Sequence, residues 1–478
     1  MYMIMSTGIT LVLLFLFVFY IILKCIVLYM SKRSLLRNLP GFQGYGHWFS
    51  GHTSDIKKIG KLNLLKKYPS FFKFSEGFLS YRISCHDPNF VRFVIHNSDK
   101  STDRISMERL AFSGDTAIEK IPMGPKLKAY KCIYQKCYEV HHHDFIKICR
   151  NVCRSSLDKL KFSNREYKFM NIRSLLSGIE FELPVRLWTG EATHGFEKLL
   201  RNIFDCEEDK HPKLDNGSPF EYLMTIYGTL KAFNHRRRVK RLHDKVLATH
   251  RKNISKSINR ETDHHSILDR LIVLELNGHH NLSDNHYVSI FVAHLTLVKS
   301  IRKMFVWLIK SLAENITWQD KIRDEIIKMK RQDSYSEANL QLEYFRNLNM
   351  FLCETMRMYP SEMVTRKVTR SFKFNDHEIP VGTLIDIDLK CLHYNPLFWE
   401  FPEKFMPERF SDGTGKYLYQ FLPFSTGPRM CPVESFMVTI MKTFLITLIE
   451  SVKIETVNTN HNEGHILQDI KVTTIQEV

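Results

Sequence analysis

Paired cysteines are missing from this chain of 478 residues. It contains ten cysteines, scattered from Cys25 to Cys431, and none of them form a Cys-x-x-Cys pair. Such scatter argues against a disulfide scaffold and for reduced thiols in a cytosolic compartment. Cys149 and Cys153 lie one helical turn apart, but no second pair completes a metal site with them. Ordinary core or surface cysteines are therefore the better interpretation.

Acidic residues are too few to balance the basic ones. The chain has 51 Asp and Glu against 68 Lys and Arg, which gives a formal net charge of +17 and a pI near 9.3. This excess favours acidic partners. Nucleic acid is not expected, because the sequence has no zinc-finger, helix-turn-helix or RNA-binding signature. An anionic membrane surface or an acidic redox protein fits the charge better.

Long apolar runs are also absent, with one exception at residues 8–30. This run is interrupted only by Lys24 and is long enough to cross a hydrocarbon core of about 30 Å. The basic flank that follows it places the rest of the chain in the cytosol. We predict a transmembrane signal anchor at 8–30, a basic flank and turn-rich linker at 31–50, and a single domain at 51–478. A cleaved signal peptide is the alternative, but its apolar stretch is normally shorter and no small-residue cleavage site follows here.

The hydrophobic pattern predicts mostly helices, with a few short strands near the N-terminal end. We expect a short strand beginning at Tyr81, followed by a helix from Asn89. Residues 125–165 read as helical and basic, and residues 285–330 as a long helix or a helix pair. With 44% hydrophobic residues, the chain has enough apolar material for one large core.

One motif can present a single thiolate to a flat metal macrocycle: Phe424-Ser-Thr-Gly427-Pro-Arg429-Met-Cys431. Gly427 permits backbone angles that bring the main chain close to such a ring. Arg429 has the reach and the fixed charge to pair with a carboxylate on the ring. A cysteine thiolate on haem iron pushes electron density toward the iron and favours O–O cleavage.

Two further motifs precede this loop, Glu354-x-x-Arg357 and the segment Pro407-Glu-Arg409-Phe. A lone Glu-x-x-Arg is usually a surface pair on a helix. A lone cysteine after a glycine turn is usually a small buried hydrophobe. All three elements in this order and spacing are hard to obtain by chance.

Together these motifs resemble those of the cytochrome P450 family of haem-thiolate monooxygenases. The resemblance implies a mainly α fold with a small β region, the cytochrome P450 fold, with one N-terminal transmembrane helix and haem b as the cofactor. It makes Glu354, Arg357 and Arg409 a structural triad under the haem. The residues that it assigns to haem binding are Phe424, Gly427, Arg429 and Arg366, with Cys431 as the axial ligand of the iron.

The distal helix departs from the family pattern. Most members have a glycine, an acid and a threonine there, and the polar pair delivers protons to bound dioxygen. Two registers of this chain match that place, and neither gives an acid followed by a threonine. The distal hydroxyls that remain as candidates are Thr296 and Ser300.

Two other departures lie near the predicted ligand. The family loop usually ends Cys-x-Gly, but here Val433 replaces the glycine. A tryptophan and an arginine normally contact the haem propionates from an earlier helix, where this chain offers Tyr130, Lys131 and Gln135. The altered distal motif is similar to the oxysterol 7-hydroxylase and prostacyclin synthase branch. The cysteine loop looks more like the fatty-acid hydroxylase branch, so the subfamily stays open.

The function implied is oxidation of a small apolar substrate (a sterol, a fatty acid or a xenobiotic) at the endoplasmic reticulum membrane, on its cytosolic face. Electrons would come from NADPH-cytochrome P450 reductase. Two alternatives remain open. The chain could be a haem-thiolate isomerase or lyase that rearranges an oxygenated lipid without a reductase, or a haem-binding protein that has lost turnover.

Overall fold

The structure is a computed structural model that describes most of the chain between residues 38 and 475. The described ranges are 38–43, 51–75, 81–96, 102–104, 124–138, 143–159, 167–190, 240–254, 266–278, 282–332, 342–360, 364–457 and 469–475, with residue 121 and a few positions between 15 and 27. Within these ranges the side chains at 81, 103, 104, 285, 292, 295, 296, 298 and 299 are not described.

Helices predominate in the described part of the chain. They are α1 (Thr53–Ile59), α2 (Lys61–Lys67), α3 (Pro88–His96), α4 (Pro125–Tyr138), α5 (His143–Asp158), α6 (Ile172–Leu176), α7 (Ile179–Thr189), α8 (240–254), α9 (Ile267–Leu276), α10 (Asp284–Glu314), α11 (Ile316–Lys330), α12 (Arg346–Met358), α13 (Leu389–His393) and α14 (Glu434–Ser451). Short 3₁₀ helices lie at Pro407–Phe410, Gly415–Tyr417 and Gly427–Arg429.

The strands are short. They are β1 (Phe71–Ser75), β2 (Tyr81–Cys85), β3 (Thr102–Arg104), β4 (Tyr167–Asn171), β5 (Val364–Val368), β6 (Phe372–Phe374), β7 (His377–Ile379), β8 (Leu384–Ile387), β9 (Val452–Thr456) and β10 (Asp469–Thr474). By its internal contacts the chain divides into two compact units. One comprises Met1–Ile105, Leu214–Glu221 and Glu362–Pro402, and the other comprises Ser106–Lys213, Tyr222–Ser361 and Glu403–Val478.

The first unit is built on a five-stranded sheet with the order β1-β2-β8-β5-β3. Only β2 and β8 pair in parallel, and their register sets Ile83 opposite Ile385, both fully buried. Arg82 donates from Nε and Nη2 to the Asp386 carboxylate at 2.7 and 3.0 Å. A buried ion pair with two hydrogen bonds of this kind fixes the strand register as well as adding energy.

The second unit is mainly helical, and α14 lies at its centre. That helix is apolar on nearly all sides, and most of its positions from Phe436 to Ile449 are buried, as expected for a helix surrounded by others. Phe444 stacks on Phe305 of α10 with ring centroids 3.8 Å apart. A three-stranded antiparallel sheet, β4-β10-β9, completes this unit. The predicted ligand loop ends at Cys431, three residues before α14 begins.

The predicted fold class, mainly α with a small β region, is confirmed. The strand at Tyr81 and the helix after it are present as β2 and α3, and residues 285–330 form the helix pair α10 and α11. The pair breaks at Asn315, whose backbone angles are not helical. Most of the predicted anchor at 8–30 lies outside the described residues. Among those described, no helix is long and apolar enough to cross a membrane.

Candidate functional site

Glu354 receives hydrogen bonds from two arginines and from the main chain. Arg357, one helical turn later on α12, donates from Nε and Nη2 to the two carboxylate oxygens, each at 2.8 Å. Arg409 of the Pro407–Phe410 helix donates from Nε to Oε1 at 3.2 Å, and the Met406 amide donates to the same oxygen at 2.9 Å. Glu354 and Arg357 are fully buried. The structure therefore brings the three residues of the predicted triad together and ties α12 to the segment around Arg409.

The Cys431 segment forms a closed loop directly before α14. The Cys431 amide donates to the Phe424 carbonyl at 3.0 Å, and the Met430 amide donates to the Gly427 carbonyl at 3.0 Å. Gly427 has a φ of 74°, a left-handed conformation that glycine adopts without steric cost. Cys431 is half-buried and lies three residues before the first residue of α14.

Two basic side chains form hydrogen bonds at this loop, one from the loop itself and one from α4. Arg429 donates from Nη2 to the Ile121 carbonyl at 2.5 Å. Lys131 of α4 donates from Nζ to the Pro428 carbonyl at 3.1 Å. Burial lowers the pKa of Lys131, Cys431 acts in the opposite direction, and Arg429 lowers the pKa further. A nearby cation stabilises a thiolate.

The sequence did not predict that Lys131 contacts the Cys431 loop. The residues Tyr130, Lys131 and Gln135 all stand near the place where the family has its tryptophan and arginine, and spacing alone did not choose among them. The structure puts Lys131 on the loop, whereas Tyr130 packs with Ile121 and Leu127 in a small apolar cluster. The contact joins residues 297 positions apart, which no local pattern encodes.

Several of the other described cysteines have a raised pKa, which makes them poorer ligand candidates. Burial raises the pKa of the Cys353 thiol to about 12, so it is protonated at neutral pH. Burial also raises the pKa of Cys85, Cys137 and Cys391. Because the thiolate is the metal-binding form, these positions resist ligation. Cys25 and Cys206 lie outside the described residues.

The predicted distal hydroxyls both lie on α10. Ser300 is exposed, and the Thr296 side chain lies outside the described residues. The neighbouring His294 is fully buried and fully hydrogen-bonded: it accepts from the Tyr138 hydroxyl at Nδ1 and donates from Nε2 to the Pro184 carbonyl, both at 2.8 Å. Burial lowers the pKa of His294 to about 4. His294 is therefore neutral near pH 7 and is no replacement for the missing acid.

Arg366 lies on β5 in the first unit, opposite Ile385 of β8. Its side chain is buried, and its Nη1 group donates to the Thr365 carbonyl at 3.3 Å. A buried guanidinium is costly unless its charge is compensated.

The donor set around Cys431 matches what haem requires. In haem-thiolate proteins one cysteine thiolate binds the iron, and arginine or lysine can pair with the haem carboxylates. The loop offers the sulfur of Cys431, the guanidinium of Arg429 and the partly buried ring of Phe424, and α4 adds the amine of Lys131. These residues all belong to the second unit.

Comparison with known proteins agrees with this arrangement. Residues 127–473 match the sequence pattern of the family described as cytochrome P450. The chain is 23% identical over 446 residues to cytochrome P450 4X1 of Rattus norvegicus, covering 87% of this chain and 85% of that protein. It is 24% identical over 463 residues to cytochrome P450 4A24 of Sus scrofa, covering 88% and 87%. A stretch of 148 residues is 33% identical to cytokinin hydroxylase of Arabidopsis thaliana, covering 30% of this chain and 29% of that protein.

Proposed function

This chain belongs to the cytochrome P450 family of monooxygenases, whose cofactor is haem b, and we propose that Cys431 is the axial ligand of its haem iron. The observation that supports the proposal is the closed loop from Phe424 to Cys431, which contains Arg429 and accepts a hydrogen bond from Lys131 of α4. The raised pKa of Cys353, the nearest alternative among the motifs, supports the same choice. The bound haem supplies the activation of dioxygen, and the chain's own residues hold and orient it.

The remaining site residues have supporting roles in this proposal. Arg429 pairs with one haem carboxylate, while Phe424 and Gly427 shape the loop that faces the ring. Arg366 is proposed for a haem carboxylate on the resemblance of its sequence context. Glu354, Arg357 and Arg409 act structurally, because they hold the segment that leads into the ligand loop.

We propose a small apolar substrate, namely a sterol, a fatty acid or a xenobiotic, and NADPH-cytochrome P450 reductase as the electron donor. The net charge of +17 supports docking of an acidic redox protein. The apolar run at 8–30 supports anchoring in the endoplasmic reticulum membrane with the domain at 51–478 in the cytosol. An isomerase or lyase that acts on an oxygenated lipid is the second candidate, because neither register of α10 provides an acid followed by a threonine.

The direct test begins with the absorption spectrum of the reduced, CO-bound protein, which reports a thiolate-ligated haem. Sterols and fatty acids are then screened for spectral shifts on binding. NADPH consumption with the reductase, together with an oxygenated product, supports the monooxygenase. Turnover of a lipid peroxide without reductase, and no NADPH consumption with any apolar ligand, supports the isomerase instead. A normal CO spectrum with neither activity indicates a protein that has lost turnover.

Removing residues 1–30 should release the protein from deep membrane insertion and leave haem binding intact. Residual association should remain and should weaken with salt, because α1 and α2 keep five lysines between positions 57 and 67. Membrane flotation at low and high salt, followed by the CO spectrum, measures both effects. Loss of haem from the truncated protein would show that this segment belongs to the core.

Product formation should be poorly coupled to NADPH consumption. A placed general acid is commonly worth about 10²–10⁴-fold in rate, and neither register of this chain's sequence gives an acid followed by a threonine. Ser300→Ala and Thr296→Ala should therefore each reduce the rate by less than about 10²-fold. The ratio of product and released peroxide to NADPH consumed measures the coupling. Tight coupling that collapses in Thr296→Ala would reveal an ordinary proton relay at that residue.

A further inference from the structure

The sheet of β4, β10 and β9 turns one face toward the solvent. Successive side chains of a strand alternate between the two faces. Ile470 and Val472 of β10 and Ile454 of β9 are fully buried, so they mark the inner face. The outer face carries the residues that alternate with them and those paired beside these in register: Tyr167 and Phe169 of β4, Lys471 and Thr473 of β10, and Lys453 and Glu455 of β9.

Two aromatic rings lie exposed on this outer face. Phe169 is 57% exposed and Tyr167 is 39% exposed, and their ring centroids lie 5.5 Å apart in an edge-to-face arrangement. Lys471 Nζ lies 5.0 Å from the centroid of the Tyr167 ring. Aromatic side chains bury a large apolar area once a partner covers them, and they are enriched at protein interfaces. The outer face is therefore suited to a protein partner.

The charges of the outer face favour a second copy of this chain as that partner. The face carries Lys453, Lys471, Glu455 and Asp469, two charges of each sign, on a chain with a formal net charge of +17. A balanced face has little attraction for an anionic membrane or an acidic protein. A second copy of the chain, in contrast, meets this face without net repulsion and can set each lysine against a carboxylate.

The strand registers allow a two-fold arrangement in which this face matches itself. Val472 is paired with Lys168 on one side and with Ile454 on the other, so these three positions lie on one line across the sheet. A two-fold axis parallel to that line lays the outer face of one protomer on the same face of its partner, with the strands of the two sheets aligned. The residues on the two sides of the line then face each other.

We propose that the outer face of the β4-β10-β9 sheet is an interface between two copies of this chain. Tyr167 packs on Phe169 of the partner subunit, and Phe169 packs on the partner's Tyr167. Lys453 pairs with the partner's Glu455, and Glu455 pairs with the partner's Lys453. Stacked sheets lie about 10 Å apart, a gap that long side chains fill from both sides. Each contact forms twice, as an isologous dimer requires.

The face is small, so the dimer is weak and reversible. Three strands about 17 Å long and about 4.8 Å apart expose only a few hundred Å² per protomer, which is at the low end of specific interfaces. The face contains none of the residues proposed to hold haem, so the dimer and the haem ligand are tested separately.

Zero-length cross-linking of the full-length protein tests the contact directly. Chains labelled with ¹⁴N and with ¹⁵N are mixed in detergent and treated with a carbodiimide, which joins an amine to a carboxylate only where the two groups touch. We expect a peptide pair of mixed isotope composition that joins Lys453 of one chain to Glu455 of another. The mixed isotopes exclude a link within one chain.

Charge reversal followed by rescue tests the two-fold arrangement. Lys453→Glu and Glu455→Lys each set like charges opposite each other twice, so the dissociation constant, measured by energy transfer between dye-labelled copies, should rise at least about tenfold. An equimolar mixture of the two variants should restore wild-type association, because every mixed contact again joins a lysine to a glutamate. Loss of the Lys471–Glu455 pair within one chain, 3.4 Å long, is not repaired by mixing.

Phe169→Ser should weaken association by a similar factor. Its matched control is Tyr344→Ser, which removes an aromatic ring that is 62% exposed but lies outside the sheet. This control should associate like the wild type. Urea unfolding midpoints close to that of the wild type show that the variants are folded.

Three results would overturn the inference. One is the absence of a mixed-isotope link between Lys453 and Glu455. Another is a mixture of the two charge variants that associates no better than either variant alone. The third is a Phe169→Trp chain whose added fluorescence is quenched by brominated phosphatidylcholine, since this would place the face in the membrane.

Discussion

Cys431→Ala should abolish the thiolate-type spectrum of the reduced, CO-bound protein. The other described cysteines with a resolved shift all have a raised pKa and stay protonated at neutral pH, so none of them replaces the lost ligand. Any haem that remains bound should show the spectrum of a non-thiolate complex. The loss should be essentially complete, because the axial thiolate alone determines this spectral type.

Cys353→Ala is the matched control for this experiment. Cys353 precedes Glu354 on α12 and is the cysteine nearest in sequence to another motif residue, but burial raises its pKa to about 12. We expect the CO spectrum of this variant to be unchanged. A normal spectrum in Cys431→Ala, or its disappearance in Cys353→Ala, would reject the proposed ligand.

The motifs of the site could be recognised in the sequence, but most contacts between distant residues could not be predicted from it. Glu354 and Arg357 lie three positions apart on α12, so their pairing follows from local spacing. Arg409 is 55 positions from Glu354, and only the resemblance to the family predicts it beside the pair. The sequence also predicts special backbone angles at Gly427, and the structure has a φ of 74° there. For the Glu354 and Arg357 pair and for Gly427, residue type and local backbone preference determine the geometry.

The contacts between distant helices could not be read in the same way. The Tyr138–His294 bond spans 156 residues, and the Lys131–Pro428 bond spans 297. Such pairs depend on how α4, α10 and α14 pack, which spacing along one chain does not encode. For the same reason, the sequence could not show which of Tyr130, Lys131 and Gln135 takes the position of the family's tryptophan. The break between α10 and α11 at Asn315 also depends on packing, and periodicity left one helix or two undecided.

Glu354→Gln should leave little folded, haem-loaded protein. The carboxylate accepts from Arg357, Arg409 and the Met406 amide in a fully buried position, so the amide would leave two guanidinium groups without their counter-charge. Removing one member of a buried ion network costs roughly 3–5 kcal/mol. Folded domains are stable by only about 5–15 kcal/mol, so this change consumes a large share of the total. Arg357→Leu should behave alike, because it leaves the Glu354 carboxylate buried without its bidentate partner.

The matched control lies one residue before Arg409. Glu408 forms an exposed pair with Lys321 at 3.5 Å, so Glu408→Gln makes the same chemical change in the same segment without disturbing a buried charge. Exposed pairs contribute about 0–1 kcal/mol, and this variant should express and bind haem like the wild type. Yield of soluble holoprotein and urea unfolding midpoints, measured side by side, separate the two substitutions. Equal yields and midpoints for Glu354→Gln and Glu408→Gln would show that the buried triad does not hold the fold, and its place under the ligand loop would then need another explanation.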